Sequence, residues 1–216
     1  MPVASGPRRL DVGRLAMVPA MSVILLVNLS SLRHGGASGA AGALRLIGTV
    51  LTCAFYALVI FCYLRRGPAA TTSGSLIAHA AAVAATWLPF ALPLLRGAPP
   101  GAVRQAVADL LLVVGTTWAV WSLYYLGRNV SVLAQARGLA DRGPYRWVRH
   151  PLYLGELVSS LGVAVAANSL AAAVIWLMLC SLQVYRALQE ERVLLHALPD
   201  YRSYRSRTAA LVPGLF

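Results

Sequence analysis

The chain has 216 residues, of which 58% are hydrophobic and 12% charged, with a formal net charge of +12. A water-soluble domain usually carries about 25% charged residues, so half that share excludes an ordinary soluble domain and makes lipid the main solvent. All 19 basic residues are Arg, and they stand between apolar runs and in the tail, as residues flanking membrane spans do. They form no stripe along a soluble helix, which argues against a nucleic-acid partner.

In chain order, the basic segment Met1–Arg14 leads into an apolar run, Leu15–Leu32. More apolar runs follow, so this first one is expected to be an uncleaved span and not a signal peptide. The next three are Leu44–Leu64, Ser75–Leu95 and Val103–Leu126. Each has about the 20 residues a helix needs to cross roughly 30 Å of hydrocarbon. Two shorter runs, Leu152–Ala167 and Ser169–Tyr185, are separated only by Asn168 and predict a tight helical hairpin. Open sheet cannot satisfy its backbone in lipid, and alternating strand patterns are absent. The expected fold is therefore all-α, a polytopic membrane bundle of about six helices ending in a hairpin.

With six crossings and a cytoplasmic N-terminus, the inner segments hold fifteen arginines, including Arg8, Arg9, Arg65, Arg66 and the tail from Arg186 to Arg207. The outer loops hold four, Arg33, Arg45, Arg96 and Arg104. That bias places both termini in the cytoplasm. Cys53 and Cys62 lie nine residues apart on one helix, about 13 Å, too far for a disulfide. No spacing suggests a metal site, and the three cysteines read as small buried hydrophobes. His79 and Trp87 read as packing or interface residues. Asp109 reads as a first-turn carboxylate complementing its helix dipole.

The chain changes character near Leu126. Residues 1–126 form a four-helix membrane region with few polar groups in its spans. Residues 127–216 hold the hairpin, the polar clusters and a basic tail. The first cluster is Gly138–Tyr153, GLADRGPYRWVRHPLY, continuing into Leu154-Gly155-Glu156. Gly143-Pro144 is a turn signal, and Pro151 suits the first turn of a new helix. Such a helix start offers free N–H groups, a seat for a carboxylate or a ribose hydroxyl. Glu156 shares a helix face with Tyr153, and an ionisable residue in an apolar segment is a site candidate. Pairing with a nearby Arg would explain it equally well.

The second cluster is Tyr185–Arg192, where Arg186 and Glu190 are spaced to pair as i and i+4. Beyond it, Tyr201, Tyr204 and the basic tail suit an amphipathic cap on the membrane surface. Because the hairpin returns the chain to the side it left, Arg186–Glu191 must lie near Arg149–Glu156. Two weak signals become one polar pocket at the cytoplasmic edge.

These residues resemble the isoprenylcysteine carboxyl methyltransferase family, related to membrane phospholipid methyltransferases. The pattern reads Gly143-Pro144-Tyr145, Arg149-His150-Pro151-Leu152-Tyr153-Leu154-Gly155, then Arg186…Glu190-Glu191…Leu194, then Tyr201…Tyr204, over about Val130–Pro213. The resemblance implies an integral membrane enzyme that moves a methyl group from S-adenosylmethionine to a lipophilic acceptor, a carboxylate as in prenylcysteine carboxyl methylation. It places Gly138, Leu139, Ala140, Tyr145, His150, Pro151, Leu152 and Tyr153 along the cofactor, with Glu190 on the cofactor's amino group. It sets Arg186 toward the substrate, which would be a lipophilic or lipidated molecule entering from the bilayer, among membrane lipids. For an amine or thiol acceptor, Glu156 or Glu191 could instead accept a proton. Arg137 stands where the family often has histidine, and Leu198-Pro199-Asp200 replaces the usual Phe-Gly. The loop before Gly138 is short. The cofactor side therefore keeps more of the pattern than the substrate side. Two other classes share some of these features. Membrane sterol reductases using NADPH have a related hairpin, but their tail carries Cys and Lys where this one has Glu190-Glu191. A scaffold or permease would spread its polar residues across the bilayer and not at one edge.

Overall fold

The computed structural model describes residues 11–34, 39–69 and 71–212. Arg8 and Arg9, counted above among the inner charges, lie outside them. Among the described residues there are seven α-helices: α1 (Val12–His34), α2 (Gly39–Arg65), α3 (Leu76–Trp87), α4 (Ala102–Leu126), α5 (Pro151–Ala167), α6 (Leu170–Ala197) and α7 (Tyr201–Ser206). Pro89 and Pro93 lack the N–H that would continue α3, and the chain goes on as a 3-10 helix over Leu88–Leu94. Five helical segments are long and apolar enough to cross a membrane, and α5 is a shorter sixth. The chain is an all-α, multi-pass integral membrane protein.

The last helix outruns its apolar run. The apolar run stops at Tyr185, but α6 has 28 residues and continues to Ala197. The residues beyond Tyr185 are mostly Ala, Leu, Gln, Glu and Arg, all strong helix formers, so hydropathy ends where the helix does not. At 1.5 Å per residue α6 is about 42 Å long, and its final turns project past the hydrocarbon. Asn168, in the left-handed region at φ 50°, makes the hairpin turn, and Ser169 caps α6 by accepting the Ala172 amide at 3.4 Å.

Asp109 is also not where the sequence put it. It lies past the first turn of α4, which contains no acidic residue. There it accepts Arg45 Nε from α2 at 3.2 Å and Gln105 Nε2 at 2.6 Å, an inter-helix link and not a dipole contact. Cys53 and Cys62 are buried as expected. Trp87 packs its ring 5.7 Å from Phe90.

Packing is uneven. Helices α4 and α5 approach most closely, because glycines face backbone across the contact. A Cβ on Gly155 would stand 2.7 Å from Ala119 N, one on Gly162 would stand 2.5 Å from Ala108 O, and one on Gly115 would overlap the Ser159 amide. Small residues of this kind let membrane helices touch backbone to backbone. By contrast α1 leans chiefly on α2. Met17 and Met21 of α1 join Val59, Cys62 and Tyr63 of α2, Leu123 of α4 and Val130 in the largest buried cluster. A two-residue antiparallel ladder, β1 (Thr71–Thr72) with β2 (Gln135–Ala136), ties the α2–α3 connection to the segment after α4.

Candidate active site

Gly143-Pro144 forms the expected turn. Gly143 takes φ +58°, where a side chain would be strained, and the chain enters a 3-10 turn over Gly143–Arg146. Pro151 then opens α5 with His150 at its N-cap, and no side chain caps this helix start. The C-terminal tail closes over the same place. Arg149 N donates to Ala209 O at 2.8 Å, His150 N to Ala210 O at 3.0 Å, and Tyr204 Oη to Tyr145 O at 2.8 Å. Tyr201 and Tyr204 are buried while Arg202 and Arg205 are exposed, so this short segment is amphipathic.

Glu191 fastens this closure. Its carboxylate, 4% exposed, takes Arg149 Nε at 2.7 Å and Arg205 Nε at 3.1 Å, and His150 Nε2 stands 3.4 Å away without hydrogen-bond geometry. Arg149 also donates to the carbonyls of Arg205 and Thr208. Glu191 is therefore engaged in a clasp between α6, the turn before α5 and the tail. That assigns it to structure and leaves it poorly placed to accept a proton from an acceptor.

Glu190, one residue earlier, faces the other way. It accepts the Tyr153 hydroxyl at 2.8 Å, lies 3.7 Å from His150 Nδ1, and keeps 29% of its side chain exposed. The rings of His150 and Tyr153 stack at 5.4 Å and 8°. Tyr145 is buried beside them, and burial, followed by the Glu190 charge, pushes its phenol well above the ordinary value. Pro151 is fully buried at the base of the group. The loop Gly138-Leu139-Ala140 is half-buried, with Asn129 Oδ1 3.0 Å from where a Gly138 Cβ would stand. Gly138 thus packs on the α4 side and not against the Tyr153–Glu190 cluster.

Arg186 and Glu190 share a face of α6 but do not pair. Arg186, 8% exposed, donates to Gln183 Oε1 at 3.1 Å and to the Val132 carbonyl at 3.1 Å, and its guanidinium lies 4.7 Å over the Tyr153 ring. Glu156 accepts Gln183 Nε2 at 2.8 Å. The proposed partner of Glu156 is therefore reached through an amide and not directly. The sequence pattern did not point to Gln183. Its one signal was a polar residue in an apolar run, one turn before Arg186.

Tyr153, Glu156 and Arg186 close one end of a cavity of about 520 Å³. Its walls are apolar and come from most of the bundle: Met17, Met21 and Ile24 of α1, Phe55, Tyr56 and Val59 of α2, Phe90 and Pro93 of the 3-10 helix, Leu112 and Ala119 of α4, and Leu152 of α5. Leu152 thus faces this cavity. The arrangement is a greasy chamber with a cation, a carboxyl and a phenol at its head, backed across the Tyr153 ring by the Glu190 group. A chamber of this size and lining suits a molecule with an apolar body and one polar end.

Residues 103–199 match the family model for phospholipid methyltransferase. The matched stretch takes in the Gly143–Gly155 and Arg186–Leu194 motifs and stops before Tyr201 and Tyr204. It begins at the start of α4, upstream of the motifs, and takes in the tight α4–α5 contact. Among curated proteins, the chain is 33% identical over 106 residues to the cobalt-zinc-cadmium resistance protein CzcN of Cupriavidus metallidurans, 49% of this chain and 45% of that one. It is 32% identical over 107 residues to the nickel-cobalt-cadmium resistance protein NccN of Alcaligenes xylosoxydans xylosoxydans, 49% of this chain and 46% of that one. The match spans just under half the length of each relative. Among solved structures, it is similar to the eukaryotic intramembrane Ras methyltransferase, isoprenylcysteine carboxyl methyltransferase, with a TM-score of 0.48 and 18% identity, covering 95% of this chain and 87% of that one.

Proposed function

We propose that this protein is an S-adenosylmethionine-dependent methyltransferase of the membrane, acting on a lipophilic acceptor held in the cavity. The observation that carries the reading is the adjacency of two groups of residues on either side of Tyr153. On one side lies the half-open Glu190 carboxylate with His150 and Tyr145, and on the other the apolar chamber headed by Glu156 and Arg186. The phospholipid methyltransferase match over the same residues supports it.

The residues on the first side fit the cofactor. Glu190 spends one oxygen on a phenol and is left with acceptor capacity for an ammonium group. His150 turns Nδ1 toward Glu190 at 3.7 Å and Nε2 toward Glu191 at 3.4 Å. Tyr145, His150, Pro151 and Tyr153 would line the site with Glu190, whereas of the other residues expected there beside Leu139 and Ala140, Gly138 packs against Asn129 and Leu152 faces the chamber. S-adenosylmethionine supplies a methyl group on a sulfonium. Methyl transfer from such a centre is an in-line displacement that depends mainly on proximity and alignment, worth about 7–11 kcal/mol. This chain's own contribution is to hold the acceptor's polar end against Arg186, to keep water out with the apolar walls, and to take any displaced proton on Glu156. A carboxylate acceptor would use the Arg186 contact alone. An acceptor that bears a proton would need Glu156 as well. The fifteen-to-four arginine bias supports a cytoplasmic site with both termini on the same side.

Two substitutions test the assignment. Glu190→Ala should weaken S-adenosylmethionine binding about 10- to 100-fold, the effect of losing one charged hydrogen bond, with the melting temperature little changed. Arg186→Ala should leave that affinity intact while turnover falls. Unchanged affinity in the first variant removes Glu190 from the site. Normal turnover in the second removes Arg186 from the acceptor.

A further inference from the structure

The charged groups at the head of the cavity do not touch each other. Glu156 and Arg186 make no ion pair among the described residues, although both line the same chamber. Gln183 stands between them. It is 1% exposed and sits one turn before Arg186 on α6. Its Nε2 donates to Glu156 Oε2 at 2.8 Å and its Oε1 accepts from Arg186 Nη1 at 3.1 Å.

A primary amide has one acceptor end and one donor end. A carboxylate can only be served by the N–H end and a guanidinium only by the oxygen, so this pair of neighbours fixes the orientation of the amide. Its length then sets the distance between the two charges. Without it, a carboxyl and a guanidinium in a low-dielectric chamber attract strongly and would close into a direct pair. A direct pair would satisfy both groups and turn them away from the cavity.

We propose that Gln183 is a positioning residue for the reaction, a spacer that holds Glu156 and Arg186 apart so that each keeps hydrogen-bonding capacity toward the acceptor. The inference rests on the proposed methyltransferase function and extends it to a residue with no place in the recognised motifs. The charged or titratable groups facing this amide are Glu156 of α5 and Arg186 of α6. Tyr153 of α5 lies beneath the guanidinium, and Tyr56 of α2 is close enough to Glu156 to sense its charge.

The test uses the full chain in detergent with methyl-tritiated S-adenosylmethionine and the lipid extract of the membranes it was expressed in, reading label in the organic phase. Gln183→Leu should bind S-adenosylmethionine as the wild type does, while kcat falls about 10²-fold, the scale of a misplaced reacting group. Gln183→Glu keeps the shape, but its carboxyl can donate to Glu156 only when protonated. Its turnover should therefore rise as pH falls, over a range where the wild type stays flat. Infrared difference spectra against Glu156→Gln give a readout that needs no acceptor: the Glu156 carboxyl band should shift in Gln183→Leu. Wild-type kcat in Gln183→Leu, a flat pH profile in Gln183→Glu, or an unmoved Glu156 band would each overturn the spacer role. If the wild type neither binds S-adenosylmethionine nor labels lipid, the underlying function fails first, and the spacer role falls with it.

Discussion

The N-terminal and C-terminal parts of the chain are each fastened by the same device at different depths. At the N-terminal end, Asp11 binds Arg66, whose side chain is 3% exposed, while Asp11 itself remains 30% exposed. At the C-terminal end, Glu191 binds Arg149 and Arg205 with only 4% of its side chain exposed. A buried carboxylate depends on every partner it has, whereas a half-exposed one can fall back on water. The difference follows what each end must do. The N-terminal helices supply apolar wall, and α1 needs little more than a contact with α2 to do so. The C-terminal elements must hold His150, Tyr153, Glu190 and Arg186 in register, and they do it with glycine-tight packing and a locked tail.

Breaking the deep clasp should have the largest effect. Arg149→Ala strips the buried Glu191 of its shortest contact and should cost about 3–5 kcal/mol, the range for one partner lost from a buried pair. Thermal unfolding measures the cost, and earlier proteolysis within residues 201–211 should accompany it. Equal losses from Arg66→Ala, which strands the half-exposed Asp11, would erase the contrast between the two carboxylates. Next come the glycines. Gly155→Val places a side chain into Ala119 and should destabilise by about 1–3 kcal/mol or more, whereas Gly74→Ala meets nothing within 4 Å and should be nearly silent. Melting temperatures of the two variants decide it, and a tolerant Gly155 would mean that the α4–α5 contact can open.

A smaller effect separates wall from chemistry. Met21→Trp adds bulk to the α1 side of the cavity and should raise the acceptor KM about 10-fold, with S-adenosylmethionine affinity unchanged. A change in cofactor affinity instead would show that the two sides of Tyr153 are not separate compartments. The smallest is a pH effect at Asp11. Burial pushes its carboxyl up, but the Arg66 hydrogen bonds, the Arg14 amide and the Arg66 charge together hold it below the ordinary 3.8. A depressed folded value means stability that is present above 3.8 and lost as pH falls through the folded value. Asp11→Asn should therefore melt below the wild type at neutral pH, and the two should converge in strong acid.

Much of this was legible in the sequence because it is local. Helix positions follow from apolar runs, the α5 start from Gly143-Pro144 and Pro151, and the meeting of Arg186–Glu191 with Arg149–Glu156 from a hairpin with no loop. What was not legible is pairing at long range. Arg45 meets Asp109, Arg66 meets Asp11 and Arg186 meets the Val132 carbonyl across more than fifty residues, and nothing in the spacing announces it. The division of labour between Glu190 and Glu191 was equally hidden. Neighbours on a helix point about 100° apart, so one reaches the tail and the other the Tyr153 hydroxyl, but only the packed tail shows which. Gln183 escaped notice because its role exists only once α5 and α6 are side by side.

The most direct measurement is calorimetric titration of the detergent-purified protein with S-adenosylmethionine and, separately, with NADPH. The account predicts micromolar binding of S-adenosylmethionine, competition by its demethylated product, and no heat from NADPH. Binding of NADPH without S-adenosylmethionine would contradict it, and would hand the pocket around Glu190 to reductase chemistry.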